Sequence, residues 1–320
     1  MRRANTGVVL AASLLALSSA ASSAAALSVV VTIKPLHALV AQVMSGVGTP
    51  ELLVKGSASP HTYALKPSAA RLLNGADLFF RMGETVEPFT ARTVLSLPKS
   101  VEVVTLQEAP RLKLLARRSG PTFERHVHRN SKGHDHGHAH DALPPAYAID
   151  GHAWLDPDNA IAMVDRIEQA LSAKAPEHAA AFKANADALR AGLAALSADL
   201  ERDLKPIAGK PYIVFHDAFQ YLEARYDLNS VGSIAISPEI PPSAKRLMEL
   251  RHRIMSLGAM CVFAEPQFDT RLVANLIEGT SARAGTLDPE GGGLEPGPDL
   301  YFALMRRLVG NLKSCLGAPA

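Results

Sequence analysis

The sequence predicts an α/β protein of two lobes, each a mainly parallel sheet flanked by helices, joined by one long rigid helix. Three observations carry that expectation. Short β-branched apolar runs alternate with segments of helical spacing in both halves of the 320-residue chain, the pattern of strand–helix–strand units whose strands lie parallel. Between the halves runs one helical period longer than any other in the chain. Hydrophobic residues make up 48% and charged residues 20%, which is enough apolar material for a substantial core.

In the first half, Leu27 to Ile33 reads as a buried strand. Lys34-Pro35 breaks it, and Leu36 to Met44 takes up helical spacing. Glu51 to Val54 is a second strand, leading into a Gly-Ser-Pro loop from Gly56 to Pro60. Pro67 fits the first turn of a helix ending near Gly75. Strand Asp77 to Arg81, a helix near Pro88 to Leu95 and strand Val101 to Leu106 follow. From about Arg117 to Ala146 periodicity vanishes in favour of His, Arg, Gly, Asp and Pro, an insertion longer than ordinary loops. Pro157 then opens a helix whose Ile161, Val164, Ile167 and Leu171 share one face.

The long period starts at Pro176. Phe182, Ala186, Leu189, Leu193, Leu196, Leu200 and Leu204 step by three or four, which makes one helix of roughly 29 residues and ~43 Å, closed by Pro206 and Gly209. Such a helix reads as a backbone between two lobes. A coiled-coil dimer is the alternative, but an alanine-rich single seam usually packs within one chain, so a monomer is expected. The second half repeats the alternation: strand Pro211 to Phe215, helix Ala218 to Arg225, extended Ser230 to Ile236, helix Pro242 to Leu257, strand Met260 to Ala264, helix Phe268 to Gly279 and a last helix Leu300 to Cys315. The expected division is an N-terminal lobe over 27–172 with the insertion at 117–146, a linker helix over 173–205 and a C-terminal lobe over 206–320.

Residues 1–26 stand outside this scheme as an expected signal peptide. Arg2 and Arg3 precede an apolar stretch from Val8 to Leu17, then serine and alanine alone up to Ala26, with an A-x-A cleavage site before Leu27. The apolar stretch is too short for a spanning helix of about 20 residues, and no cysteine lies near Leu27 to carry a lipid anchor. The product is expected to be exported and soluble, not membrane-spanning. Loss of the two arginines takes 33 basic residues to 31, equal to the 31 acidic ones. Aromatics are 5%, so nucleic acid is not an expected partner. The two cysteines are too few for a disulfide-rich scaffold or a four-cysteine zinc site. In an oxidising compartment Cys261 and Cys315 can pair and staple the C-terminal tail to the strand at Cys261. The alternative is two buried free thiols.

Histidine is the anomaly, with 12 residues, six of them between His126 and His140. Outside that tract four positions stand out: His61, His152, His216 and Asp288. Each lies just after an expected strand or in a loop feeding a helix, where open α/β sheets place their ligands. Two from each half would build a cleft site. Three neutral imidazoles with a carboxylate or water suit the four-coordinate tetrahedron of Zn²⁺. Taken singly, each histidine reads as well as a satisfied core or surface residue. His37, His178 and His252 take that reading, and Glu265 is expected to face the cleft and hydrogen-bond to a supporting or hinge group rather than act as a ligand.

His61 in SPHTYALKPS, His152 in GHAWLDPDNA, His216 in VFHDAFQYLEARY and the CVFAEPQF run from Cys261 together resemble the periplasmic zinc-binding component of zinc ABC importers. The wider family is the metal receptors among the solute-binding proteins, and the likeness covers nearly the whole mature chain. It implies two α/β lobes on one rigid helix. It also implies a periplasmic receptor, not an enzyme, that captures Zn²⁺ and delivers it to an ABC permease in the inner membrane. The implied ligands are His61, His152 and His216, with Asp288 at the position of the fourth, carboxylate ligand. Manganese and iron receptors of the family typically carry glutamate at the third ligand position, so His216 favours zinc. Two other classes compete with this one. A zinc hydrolase could use a His₃ site, but the chain has no HExxH or similar motif. A buffer in which only the insertion matters leaves the ligand motifs of both lobes unexplained.

His126, His128, His134, His136, His138 and His140 alternate with small or acidic residues. A segment of this type binds Zn²⁺, Ni²⁺ or Cu²⁺, but ordering it costs chain entropy, so its sites should be weaker and less selective. Scavenging of zinc, or sensing of its excess, is expected of it; the plainer alternative is a solvated linker that binds metal incidentally. Deleting residues 126–140 is expected to leave one tight zinc site in a competitive titration. Loss of that site would make the tract itself the metal centre.

Overall fold

The computed structural model describes residues 27–118, 149–235 and 242–318. The signal peptide and the histidine tract expected from the sequence lie outside these residues. The chain forms two four-stranded sheets, both parallel throughout. The first has strand order β2-β1-β3-β4, from β1 (Val29–Val31), β2 (Glu51–Leu52), β3 (Leu78–Arg81) and β4 (Glu102–Thr105). Its connections carry α1 (Lys34–Val43), α2 (Pro67–Asn74) and α3 (Phe89–Ser96). Then come α4 (Pro157–Lys174) and the 26-residue α5 (Ala179–Leu204), which is flanked by single 3₁₀ turns at Pro176–His178 and Lys205–Ile207. The second sheet has order β6-β5-β7-β8, from β5 (Pro211–Val214), β6 (Asn229–Ser233), β7 (Cys261–Ala264) and β8 (Arg283–Thr286). With it go α6 (Gln220–Tyr226), α7 (Ala244–Ser256), α8 (Arg271–Ile277) and α9 (Leu300–Leu316).

The strands are short and apolar on both faces because each sheet separates two cores. Alternation along the strand assigns the residues. Val29, Val31, Leu78 and Phe80 of the first sheet, and Tyr212, Val214, Cys261 and Phe263 of the second, all enter one common core. Val30 and Phe79 face an outer cluster with Leu73, and Ile213 and Val262 face another with Leu250 and Val273. The seven stripe residues of α5, from Phe182 to Leu204, are all buried in the common core. α5 therefore does more than span the gap between the sheets, because its apolar face is part of the packing that holds them.

β8 has no counterpart among the expected strands. Arg-Ala-Gly-Thr offers no apolar run, and the strand is half exposed at the sheet edge. Its pairing with β7, Cys261 opposite Arg283 through Ala264 opposite Thr286, is what places the loop that carries Asp288. Cys261 and Cys315 form a disulfide, tying α9 to β7 across 54 residues.

A loop of that length corresponds to about 4 kcal/mol of denatured-chain entropy. The Cys261→Ser, Cys315→Ser double variant is expected to lose stability of that order in urea unfolding while retaining its metal stoichiometry. An unchanged midpoint would contradict the stapling role.

Candidate metal centre

Three loops at the carboxyl ends of the sheets converge between the two halves. His61 sits in a 3₁₀ turn, Pro60–Thr62, that follows β2. His152 immediately precedes the turn Ala153–Leu155, which α4 continues, with Asp156 capping the helix by accepting from the Asp158 amide and Pro157 in its first turn. His216 follows β5 by one residue beyond Phe215. All three rings are buried. The Nε2 atom of His152 lies 3.2 Å from that of His61 and 3.4 Å from that of His216. One nitrogen from each ring falls within 4.8 Å of the other two, and among the described residues no other group of histidine, cysteine or acidic side chains converges in this way.

The Nε2 lone pairs are aimed inward because carboxylates hold two of the rings from behind. Asp150 Oδ1 accepts from His152 Nδ1 at 2.7 Å and from the His152 amide at 3.0 Å. Glu265 Oε1 accepts from His216 Nδ1 at 2.5 Å and from the His216 amide at 3.1 Å. A proton kept on Nδ1 leaves Nε2 free to coordinate. Gly151 is required between Asp150 and His152, since a Cβ there would stand 2.3 Å from Thr85 Oγ1 and 2.5 Å from Val86 Cγ2.

Glu265, expected to bond to a supporting or hinge group, instead accepts from the His216 ring itself. Asp150 was missed; its only signal is a carboxylate two residues before a candidate histidine, a spacing that many loops share. His37 packs away from the cluster, its Nε2 3.0 Å from the Pro50 carbonyl.

Asp288 follows β8 and is buried, but it is not among the converging atoms. Oδ1 accepts from the Glu290 and Gly291 amides, both at 3.1 Å, and from Gln267 Nε2 at 2.8 Å, while Oδ2 accepts from the Gly292 amide at 2.6 Å. The carboxylate thereby folds the Glu290–Gly292 turn around itself. Lys34 of α1 secures the same turn from the first half, donating to the carbonyls of Gly291, Gly292 and Leu294 at 3.2, 2.7 and 2.8 Å. Trp154 Nε1 adds a bond to the Pro289 carbonyl at 3.0 Å. Gly292 lets this turn approach the loop before His61, where a Cβ would meet Ser57 at 3.0–3.2 Å.

Burial, reinforced by the neighbouring imidazoles, drives the pKa values of His61 and His152 well below the ordinary 6.5. For His216 burial is the largest influence and works in the same direction, but the carboxylates of Glu265, Asp217 and Asp150 together outweigh it and the net shift is upward. Asp150 is itself pushed up to about 6 by burial. The cluster thus contains two weakly basic rings and one more basic ring.

Two parallel α/β lobes tied by one helix, with buried imidazoles from both converging between them, define a metal-receptor type of solute-binding protein. Comparison with known proteins specifies the family. The family model described as "Zinc-uptake complex component A periplasmic" (ZnuA) matches residues 29–315. The high-affinity zinc uptake system protein ZnuA of Brucella abortus is 40% identical over 312 residues, covering 90% of this chain and 91% of that one. The protein of the same name from Paracoccus denitrificans is 36% identical over 299 residues, covering 91% and 92%. A crystal structure of ZnuA superposes with a TM-score of 0.75 at 21% identity, covering 91% of this chain and 100% of that one. The Zn(II)-bound ZnuA-like domain of Streptococcus pneumoniae AdcA does so at 0.69 and 24% identity, covering 92% and 100%. The chain belongs to the ZnuA family.

Protons and metal compete for the three Nε2 atoms. His61 and His152 stay neutral well below pH 6.5, whereas His216, with its raised pKa, is the first to protonate as pH falls. Zn²⁺ affinity is therefore expected to start falling above pH 6.5, by one proton per ion. Glu265→Gln, which removes the charge behind His216, should move the onset to lower pH. An onset unmoved by that substitution would contradict this assignment.

Proposed function

We propose that the protein is a periplasmic zinc receptor that captures one Zn²⁺ between its lobes through His61, His152 and His216 and passes it to an ABC permease. One observation carries the ligand assignment. A tetrahedral ion with Zn–N bonds of 2.0–2.1 Å has ligand–ligand edges of about 3.3–3.4 Å. The observed Nε2 separations of 3.2 and 3.4 Å match those edges. His152 therefore already stands at the ion's edge spacing from each of the other two rings, which limits the reorganisation that opposes entry. Three imidazoles suit zinc better than a hard cation, which would call for more oxygen ligands.

Water, rather than Asp288, fills the fourth position in this reading, because the Asp288 carboxylate already accepts three amide bonds and one from Gln267. Its part is to shape the turn that closes the site. Delivery rather than catalysis is favoured because the two buried carboxylates next to the rings, Asp150 and Glu265, are both bonded to imidazole Nδ1 atoms. Each thus sits on the outer nitrogen of a ring, away from the inward Nε2 atoms where a metal-bound water would need a base. The uptake-system names of the relatives support the same reading. Among the described residues no helix is long and apolar enough to cross a membrane; in this reading the receptor meets its permease as a monomer.

His61→Ala, His152→Ala and His216→Ala are each expected to weaken zinc binding by at least about a hundredfold, the upper end of what loss of a supporting group costs. Asp288→Asn should cost less than about tenfold. Competitive titration with a chromogenic chelator measures both. Equal losses at Asp288 and the histidines would make Asp288 the fourth ligand, and retention of tight binding in any histidine variant would overturn the triad.

A further inference from the structure

The three rings are not drawn equally from the two halves: His61 and His152 come from the first and His216 alone from the second. Holding the triad together therefore depends on how firmly the loop after β5 is tied to the first half. Arg118, which follows β4 and lies next to the antiparallel bridge Ala116–Ile149, supplies a tie at that point. Its Nε donates to Asp217 Oδ1 and Oδ2 at 3.1 and 2.9 Å, and a terminal nitrogen also donates to Asp217. Its other terminal nitrogen donates to Glu223 Oε2 at 2.7 Å.

Asp217 is the residue after His216, and Glu223 is buried on α6, at the far side of the same loop. The second Glu223 oxygen accepts from the Tyr212 hydroxyl at 3.4 Å, on the strand that leads to His216. One guanidinium thus bridges both sides of the loop that presents His216. Only 21% of the Arg118 side chain is exposed, with 12% for Asp217 and 5% for Glu223. Removing the arginine would leave two carboxylates in a largely dry site without their cation, the situation in which a charge pair governs how fast partners separate.

A second arginine gives the contrast. Arg225 of α6 pairs with Asp158 of α4 and also joins the halves, but these side chains are 33% and 55% exposed and the pair does not involve the His216 loop. Exposed pairs of that type contribute little.

We propose that Arg118 is a positioning residue, a latch that holds the His216 loop against His61 and His152 and thereby sets the rate at which zinc leaves. This rests on the zinc-receptor reading. The bonds that form the latch run to Asp217 and Glu223 rather than to a ring of the triad, so it acts on dissociation and leaves capture nearly unchanged. A permease that draws Asp217 and Glu223 away from Arg118 would speed release without displacing a ligand directly.

Stopped-flow measurement on the mature chain, with Zn²⁺ as the probe and excess chelator as the trap, tests this. Arg118→Met is expected to release zinc at least about tenfold faster, with an association rate within about threefold of wild type. Arg118→Lys, which keeps the charge but not the fork, should fall between the two. Arg225→Gln should release zinc at the wild-type rate. Should Arg118→Met not fold, Asp217→Asn removes one arm of the latch and should still accelerate release. Unchanged release in Arg118→Met or Asp217→Asn, or equal acceleration in Arg225→Gln, would overturn the latch alone. A wild-type chain with no tight zinc would overturn the receptor reading and the latch with it.

Discussion

The three histidine rings converge only because two sheets are held at one separation, and a single apolar core sets that separation. Inner-face residues of both sheets, the stripe of α5, and Tyr301, Leu304 and Leu308 of α9 pack in one cluster. Two lobes with private cores could swing on a hinge. Lobes that share a close-packed interior cannot move far without opening cavities in it. Polar ties follow the same line, with Lys34 holding the Asp288 turn and the Tyr301 hydroxyl donating to the Trp154 carbonyl at 2.7 Å. Capture and release of an ion in this frame must therefore use small shifts of the loops at the ends of the strands.

Within that frame, electrostatics explain why three imidazoles tolerate one another. Charged rings at this spacing would repel in a buried space, so burial holds His61 and His152 neutral, and neutral rings are what a zinc ion requires. The carboxylates are placed on the outer nitrogens. There they orient the rings and place negative charge behind them, leaving the inward nitrogens to an ion that would bind among them. Asp150 and Glu265 differ in effect: the first is a weak acid beside a weakly basic ring, while the second is the foremost of the carboxylates that make its ring the most proton-sensitive of the three. Affinity and pH response are thereby divided between two supporting residues, one in each half.

Much of this was legible in the chain. Helices opened by proline, at Pro67 and Pro157, and the stripe from Phe182 to Leu204 appear where the periodicity put them, because local chemistry and burial agree there. The strands emerged shorter than their apolar runs: Leu27 to Ile33 yields only Val29–Val31, since residues can be buried without a paired neighbour. β8 escaped notice because an edge strand of Arg-Ala-Gly-Thr is defined by its pairing with β7 rather than by its composition. At the site, the three histidines were legible through their motifs. The hydrogen bonds that occupy Asp288, the support from Asp150 and the reach of Arg118 to Asp217 were not. They depend on loops brought together from distant parts of the chain, which spacing does not encode.

In the proposed receptor the ion sits among three imidazoles, two of whose Nε2 separations, 3.2 and 3.4 Å, match the edges of a zinc tetrahedron. Zinc K-edge X-ray absorption on the mature chain lacking residues 126–140, loaded with one equivalent of Zn²⁺, measures that coordination directly. Three imidazole scatterers and one further light atom in a four-coordinate shell, at about 2.0–2.1 Å, are expected. A six-coordinate oxygen shell, or fewer than three imidazoles, would contradict it.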